Sequence, residues 1–356
     1  MGLAFAARLV AWQRVHGRSD LPWQNTRDPY RVWLSEIMLQ QTQVATVVPY
    51  YLRFVTRFPD VGSLAVAPLE QVLAYWSGLG YYRRAHHLHA TARRVVEHHG
   101  GAFPRAVDAL AELPGVGRST AAAIAAFSYA TPAAILDGNV KRVLARHRGV
   151  AGYPGAGSVE RALWRLAESL LPTSNIEWYT QALMDLGAAV CTRMRPRCDA
   201  CPVAGDCVAR REGRVDELPA PRPARVLPQR ALRVLLLEHA GSLLLEKRPP
   251  VGIWGGLWSL PELPLADDVA AHCRERFSAR VTVRDALPPI EHAFTHFRLT
   301  LHPQRVRVRH WSAKLERAGW IWLSPADALV AALPAPIRRL LREQSALPPR
   351  RRAKPH

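Results

Sequence analysis

Acidic side chains are scarce in this chain: 29 Asp and Glu stand against 48 Lys and Arg, a formal net charge of +19. A field of that sign disfavours acidic partners and favours a polyanion, because each phosphate neutralised by a cation releases condensed counterions. An arginine-rich composition by itself would give the same basic surface. Long apolar runs are missing too. No stretch approaches the roughly 20 residues that a membrane helix needs, so no membrane span is expected. The opening Met1–Val10 is apolar but short, lacks a positive leader and runs into Trp12, Arg14 and His16 like an amphipathic helix; no targeting signal is expected. Cysteines number only five, an odd count with four of them clustered. That fits a metal site in a reducing compartment better than a disulfide framework, and the cytoplasm is the default. Half of the chain (49%) is hydrophobic, which excludes a disordered basic protein, and its 356 residues are enough for two or more domains.

Up to about residue 210 the pattern is helical. Asp28 and Pro29 suit the N-cap and first turn of a helix on which Trp33, Ile37, Val44 and Val48 recur at helical spacing. Glu36, Gln40 and Gln43 fall on a separate polar stripe. Further helices are predicted over Thr120–Tyr129, Val140–His147 and Ser158–Leu171. Residues 213–230 are rich in proline and charge and read as a linker. Beyond them the period changes to strands: Ala231–Glu238, a turn at His239–Ser242, then Leu243–Lys247, with a later alternating run at Ala293–His302 and a closing helix at Pro334–Ser345. The expected organisation is a helical domain over 1–212, the linker, an α/β domain over 231–345 and a basic tail over 346–356.

Four local patterns carry chemistry. Cys191, Cys198, Cys201 and Cys207 form a Cys-x6-Cys-x2-Cys-x5-Cys run within 17 residues. Such a set suits a soft metal or a cluster; zinc competes, although only one Cys-x2-Cys knuckle is present. Cys273 reads as an ordinary core thiol. Leu113-Pro-Gly115-Val116-Gly117 lies between two helical segments and is followed by Ser119; glycines there let a backbone approach a phosphate. Asp137-Gly-Asn139 lies eighteen residues beyond Ser119 and could equally cap a helix. The fourth pattern is Trp33-Leu-Ser-Glu36-Ile-Met-Leu-Gln-Gln41-Thr-Gln-Val44, with Trp76-Ser-Gly-Leu-Gly-Tyr81-Tyr82 further on.

The cysteine spacing resembles the [4Fe–4S] loop of the endonuclease III superfamily, and the glycine motif resembles its helix-hairpin-helix. Together with the fourth pattern, residues 10–215 resemble the MutY-type, adenine-excising DNA glycosylases. The resemblance implies an all-α catalytic region, a six-helix barrel with an iron–sulfur subdomain, holding a [4Fe–4S] cluster on the four cysteines. It implies Glu36 as general acid toward adenine N7 and Asp137 as the carboxylate facing an oxocarbenium-like sugar. Tyr129 and Asn139 would orient those two groups. Leu113, Gly115, Val116, Gly117 and Ser119 would meet DNA through the hairpin, while Gln41 and Tyr81 would enter the duplex as the base is extruded. Ser119 stands where strand-nicking members carry a Schiff-base lysine, and Lys141 lies on the wrong side of Asp137. The reaction implied is therefore hydrolysis without an efficient lyase step.

Residues 231–345 resemble the Nudix-like domain that these enzymes use to read 8-oxoguanine, with Thr295 and His296 in the recognition loop and Thr295 in place of the usual serine. Gly256 and Glu262 open like a Nudix box, but Ala270–Glu275 has no adjacent acidic pair to hold Mg2+, so nucleotide hydrolysis is expected to be lost. The partner implied is double-stranded DNA with adenine opposite 8-oxoguanine or guanine, bound by a monomer in a bacterial cytoplasm. An endonuclease III-like lyase, a Nudix-type nucleotide hydrolase and a non-catalytic DNA-binding protein are the competing readings.

Overall fold

A computed structural model describes residues 2–224, 226–311 and 319–345; the basic tail over 346–356 lies outside the described residues. The chain divides into two compact units, residues 1–66 with 87–224 and residues 67–86 with 225–356. The stretch 67–86, helical in sequence, thus groups with the C-terminal residues.

The first unit is helical throughout. Its elements are α1 (Gly2–His16), α2 (Pro29–Leu39), α3 (Val44–Arg57) and α4 (Val61–Val66), followed after residue 86 by the rest of α6 (Arg83–His99). Then come α7 (Val107–Ala111), α8 (Arg118–Tyr129), α9 (Gly138–Arg148), α10 (Gly157–Ser169), α11 (Ile176–Asp185), a π-helical turn (Leu186–Val190) and α12 (Val208–Arg211). Asp28 starts α2 as anticipated, its carboxylate accepting from the Tyr30 amide at 3.0 Å with Pro29 in the first turn. α8 is buried on nearly every face along 121–126, five alanines and Ile124. Alanine is the strongest helix former and lets neighbouring helices come close. One core gathers Phe5 and Leu9 of α1, Val140 and Leu144 of α9, Leu163 of α10 and Leu183 of α11.

The helix expected to run from Asp28 through Val48 is two helices. α2 ends at Leu39, and Gln41 adopts φ 56°, a left-handed conformation that a non-glycine residue takes only under constraint. The constraint is tertiary: Gln40 Nε2 reaches the Gly115 carbonyl at 3.3 Å and Thr120 Oγ1 at 3.4 Å. Val44 and Val48 are consequently only half-buried on α3, whose buried face is Val47, Tyr51 and Phe54.

The second unit holds α5 (Leu69–Trp76), the first turn of α6, and, among the described residues, a mixed eight-stranded sheet. Its strands are β1 (Gln229–His239), β2 (Ser242–Lys247), β3 (Trp258–Ser259), β4 (Glu262–Leu263), β5 (Ala279–Ala286), β6 (Ile290–Ala293), β7 (Arg298–Trp311) and β8 (Trp320–Leu323). The main order is β3-β2-β1-β7-β5, with β1 and β7 parallel and the other pairs antiparallel. Helices α13 (Val269–Phe277), α14 (Pro325–Val330) and α15 (Ala335–Ser345) complete the unit. Its core joins Leu235, Leu237, Leu244, Val306 and Val308 to Phe277, and Cys273 is fully buried there as an apolar thiol. The alternating run at 293–302 is interrupted: β6 and β7 form a hairpin whose turn, Phe294 to Phe297, is closed by a 2.9 Å backbone bond. No helix among the described residues is long and apolar enough to cross a membrane.

Candidate active site and cysteine loop

Two carboxylates from distant parts of the sequence come within electrostatic reach of each other. Glu36 sits mid-way along α2, half-buried, with Ser35 and Ile37 packed on either side. Asp137 is the N-cap of α9, its carboxylate accepting from the Val140 amide at 2.8 Å. The strand-like approach to Asp137 is held by Ser119, whose hydroxyl accepts from the Leu136 amide at 2.9 Å. Ser119 is therefore a structural tether at the start of α8.

The surroundings of the two acids differ. Burial, and after it the negative charge of Asp137, together raise Glu36 to about 8, with no opposing cation among the described residues. Burial also raises Asp137. Unlike Glu36, though, it is pulled back down by the amides of Val140 and Asn139 and by the charges of Arg142 and Lys141. Glu36 thus holds its proton at neutral pH, while Asp137, though raised, has amides and cations beside it that favour its charged form. Two neighbouring carboxyl groups in such different surroundings suit a general acid beside an electrostatic stabiliser.

The remaining anticipated residues are placed unevenly. Tyr129 donates to the Phe103 carbonyl at 3.0 Å and is covered by the Arg105 guanidinium, so neither contact is with a carboxylate. Asn139 accepts from Arg142 Nη2 at 2.8 Å, and its amide faces Asp137. In the hairpin, Leu113 and Val116 are buried, which leaves their backbone alone to meet a ligand. Gly115 has φ 76°, and a Cβ on it would lie 2.7 Å from that of His87; the turn needs glycine on both counts. Gln41 is exposed beside it in the α2–α3 turn. In the second unit Tyr81 is 47% exposed, and Thr295 and His296 are both exposed in the β6–β7 turn, 3.4 Å apart through Oγ1 and Nδ1.

Cys191, Cys198, Cys201 and Cys207 line one cavity of about 30 Å3, together with Arg146, Val190 and Pro196. Burial, and after it the charges of Cys191, Cys207 and Cys198, raise the Cys201 thiol to about 11 against the opposing Val203 amide. A fold that stacks four thiols around one hollow makes their joint ionisation costly unless a cationic group sits among them. Among the described residues, no three metal-ligating side chains converge on a point that would hold a single ion. Between the first two cysteines Arg193, Arg195 and Arg197 are exposed.

Sequence reasoning missed how this loop is attached. Arg142 Nε donates to the Cys191 carbonyl at 2.7 Å and Arg142 Nη2 to the Gly187 carbonyl at 2.6 Å. One turn on, Arg146 is 3% exposed and donates to the carbonyls of Thr192, Val215 and Leu218 at 2.6, 2.9 and 2.7 Å. Both arginines belong to α9, the helix that Asp137 caps. Gly187 lets that helix approach: a Cβ there would meet the Asn139 Cβ at 2.5 Å. The only signal in sequence was a pair of arginines at i, i+4, which ordinarily marks a solvated face.

Around the Nudix-like opening the acids are already engaged. Glu262 pairs with Arg248, Glu246 with Arg276, and Asp268 caps α13 through the Ala271 amide at 2.7 Å. Among the described residues no carboxylate cluster there could hold a divalent cation.

Comparison with known proteins agrees with both units. Residues 34–169 match the family profile of the HhH-GPD superfamily base excision DNA repair protein, and residues 233–343 match the NUDIX domain. The chain is 34% identical to the adenine DNA glycosylase of Buchnera aphidicola (subsp. Acyrthosiphon pisum) over 95% of its own length and 96% of that protein. It is also 34% identical to the adenine DNA glycosylase of Mus musculus, covering 77% of it. Among solved structures, a thermostable thymine-DNA glycosylase superposes with a TM-score of 0.53 at 30% identity, covering 59% of this chain and 97% of that one. A helical glycosylase-type region followed by a Nudix-type sheet, matched along nearly the whole length of a curated relative, places this chain in the adenine DNA glycosylase family.

Proposed function

We propose that this protein is a monofunctional base-excision-repair enzyme that hydrolyses the N-glycosidic bond of adenine mispaired with 8-oxoguanine or guanine in double-stranded DNA. The observation that carries the reading is the placement of Glu36, whose carboxyl is raised to about 8, within the field of Asp137, which is held by the amides that open α9. Glu36, protonated at neutral pH, donates to adenine N7 and turns the base into a competent leaving group. Asp137 remains the anion that faces the positive charge growing on the sugar. Water then completes the reaction with Glu36 as its base. The test is a duplex carrying A opposite 8-oxoguanine, incubated with the protein and then cleaved with alkali; no strand break at the adenine would overturn the reading.

Among the described residues beside Asp137, an imine-forming lyase step finds no unengaged amine. Ser119 is occupied by the Leu136 amide, and the Lys141 ammonium is held by Glu160 at 2.5 Å. Borohydride treatment during turnover is expected to trap no covalent protein–DNA complex. Recognition of the partner base is assigned to Thr295 and His296, entry into the duplex to Gln41 and Tyr81, and phosphate contact to the backbone of Gly115–Ser119 together with Arg193, Arg195 and Arg197. The protein is read as a monomer of the bacterial cytoplasm.

The four cysteines suit a [4Fe–4S] cluster: they are an all-thiolate donor set lining one hollow. When bound, that group supplies no step of the hydrolysis; it crosslinks the loop that presents the three arginines. Arg146→Ala removes the donor shared by the Thr192 carbonyl of the loop and the Val215 and Leu218 carbonyls beyond it. The variant is expected to purify with roughly half the iron or less, since each lost bond costs about 1 kcal/mol, and with weaker visible thiolate-to-iron absorption. Full iron content in that variant would break the link between α9 and the loop.

A further inference from the structure

Tyr81 is a large, half-exposed ring on a backbone with φ 48°, a left-handed conformation that costs free energy and persists only where the surroundings enforce it. Tyr81 belongs to the turn 77–82 between α5 and α6. Beneath its ring lies the guanidinium of Arg84, 5.3 Å from the ring centres of both Tyr81 and Trp76. Arg84 is buried, and burial lowers it to about 10. Trp76 Nε1 and Arg84 Nη2 both donate to the Gly80 carbonyl, at 3.0 and 3.2 Å. The Gly78 amide donates to the Tyr82 hydroxyl at 3.1 Å, which fixes the other limb of the turn.

This turn is seated on the C-terminal residues of its own unit. The Leu333 carbonyl, in the fully buried link between α14 and α15, accepts from Ser77 Oγ at 2.8 Å and from the Tyr82 hydroxyl at 3.1 Å. Arg338 of α15 donates back to Ser77 Oγ at 2.7 Å. It also spans the Leu329 and Ala331 carbonyls at 3.0 and 2.8 Å, which makes the seat rigid. At the other end of α5, Glu70 accepts from Trp258 Nε1 and from Lys247 Nζ. Both limbs of the Tyr81 turn are thus bonded to one carbonyl more than 250 residues away. A charged donor within such a network is worth more than a neutral one, because removing it leaves buried acceptors unpaired.

We infer that Arg338, with Ser77 and the Leu333 carbonyl, is a positioning device for Tyr81, so that the Nudix-type unit sets the geometry of the ring that enters the duplex during base extrusion. The inference rests on Tyr81 acting as that wedge. It extends the work of the C-terminal residues beyond reading the partner base: they also hold the tool that opens the stack.

The test uses the full-length chain and a duplex with A opposite 8-oxoguanine and 2-aminopurine as the neighbouring base, whose fluorescence rises when the stack is opened. Tyr81→Ala is expected to abolish most of the rise. Arg338→Ala and Ser77→Ala should each reduce it to about half and lower single-turnover excision about 5- to 10-fold, with duplex binding changed less than about 2-fold. Arg338→Lys should restore part of both. Arg339→Ala, on the outer face of the same helix and paired with Glu343, serves as the comparison and should behave as the parent. Ser77→Ala deletes a single hydroxyl, so it reports even if Arg338→Ala fails to fold. If Tyr81→Ala leaves the fluorescence unchanged, the wedge reading falls and the positioning role falls with it. If Tyr81→Ala removes the rise while both Arg338→Ala and Ser77→Ala keep it in full, only the positioning role is overturned.

Discussion

Glu36→Gln should lower single-turnover excision of adenine by about 10^2- to 10^4-fold while leaving affinity for the duplex within a factor of a few, since positioned proton transfer contributes about that much. Glutamine keeps the size and the hydrogen-bonding of the side chain but has no proton to give. The same group sets the alkaline limb of the pH profile. Glu36 is raised from 4.5 to about 8, so the free enzyme keeps its acid below that value and loses it above, and kcat/KM is expected to fall as pH rises through about 8. Stability carries the opposite mark of the same shift. Between 4.5 and about 8 the folded protein retains a proton that the unfolded chain has released, so this group makes stability decline as pH rises across that window. Glu36→Gln removes the decline. The variant should therefore unfold at a higher temperature than the parent at neutral and mildly alkaline pH, with the two converging toward pH 4. An inactive variant that is more stable than the parent is what a buried functional acid predicts. A variant that retained parental activity would show that Glu36 is a passenger in the pocket.

Asp137→Asn should cost about 10^2- to 10^3-fold in excision, the range found when one preorganised electrostatic contact to a transition state is removed. Here the side chain has two duties, and the substitution separates them. Asparagine caps a helix as well as aspartate does, and its carbonyl oxygen can still accept from the Val140 amide, so α9 should keep its start. Asp137→Ala loses both duties and should melt earlier than the asparagine variant by the equivalent of about 1 kcal/mol. In the asparagine variant the negative charge that raises Glu36 is gone, and the alkaline limb of the residual activity should move to lower pH. Parallel thermal melts and single-turnover rates of the two variants separate these effects. Equal rates with unequal stabilities would confirm that the charge, and not the cap, serves the chemistry.

Several features were legible in sequence because they are local. Asp28-Pro29 opens α2 and Asp137 opens α9, since a cap and its amide lie within three residues of each other. The four cysteines announce their site by spacing, and Ala240-Gly241 turns β1 into β2 as the strand pattern suggests. The break after Leu39 was not legible: Val44 and Val48 continue a helical period, and only the Gln40 bonds to Gly115 and Thr120, 75 and 80 residues away, show why the chain leaves it. The hairpin inside 293–302 was hidden for a related reason. Alternation persists across it, while the turn is closed by one backbone bond between Phe294 and Phe297.

Sequence alone determined the family and singled out the candidate acids and the four-cysteine set, because residue type and spacing survive any arrangement of the chain. The tertiary structure alone decided what those groups can do. It set the half-buried Glu36 in the field of Asp137, with no opposing cation among the described residues, and so kept its proton. It docked α9 on the cysteine loop through Arg142 and Arg146, and it seated the Tyr81 turn on Leu333 and Arg338. Each of these depends on desolvation or on hydrogen bonds between residues far apart in the chain, and a linear pattern carries no record of either.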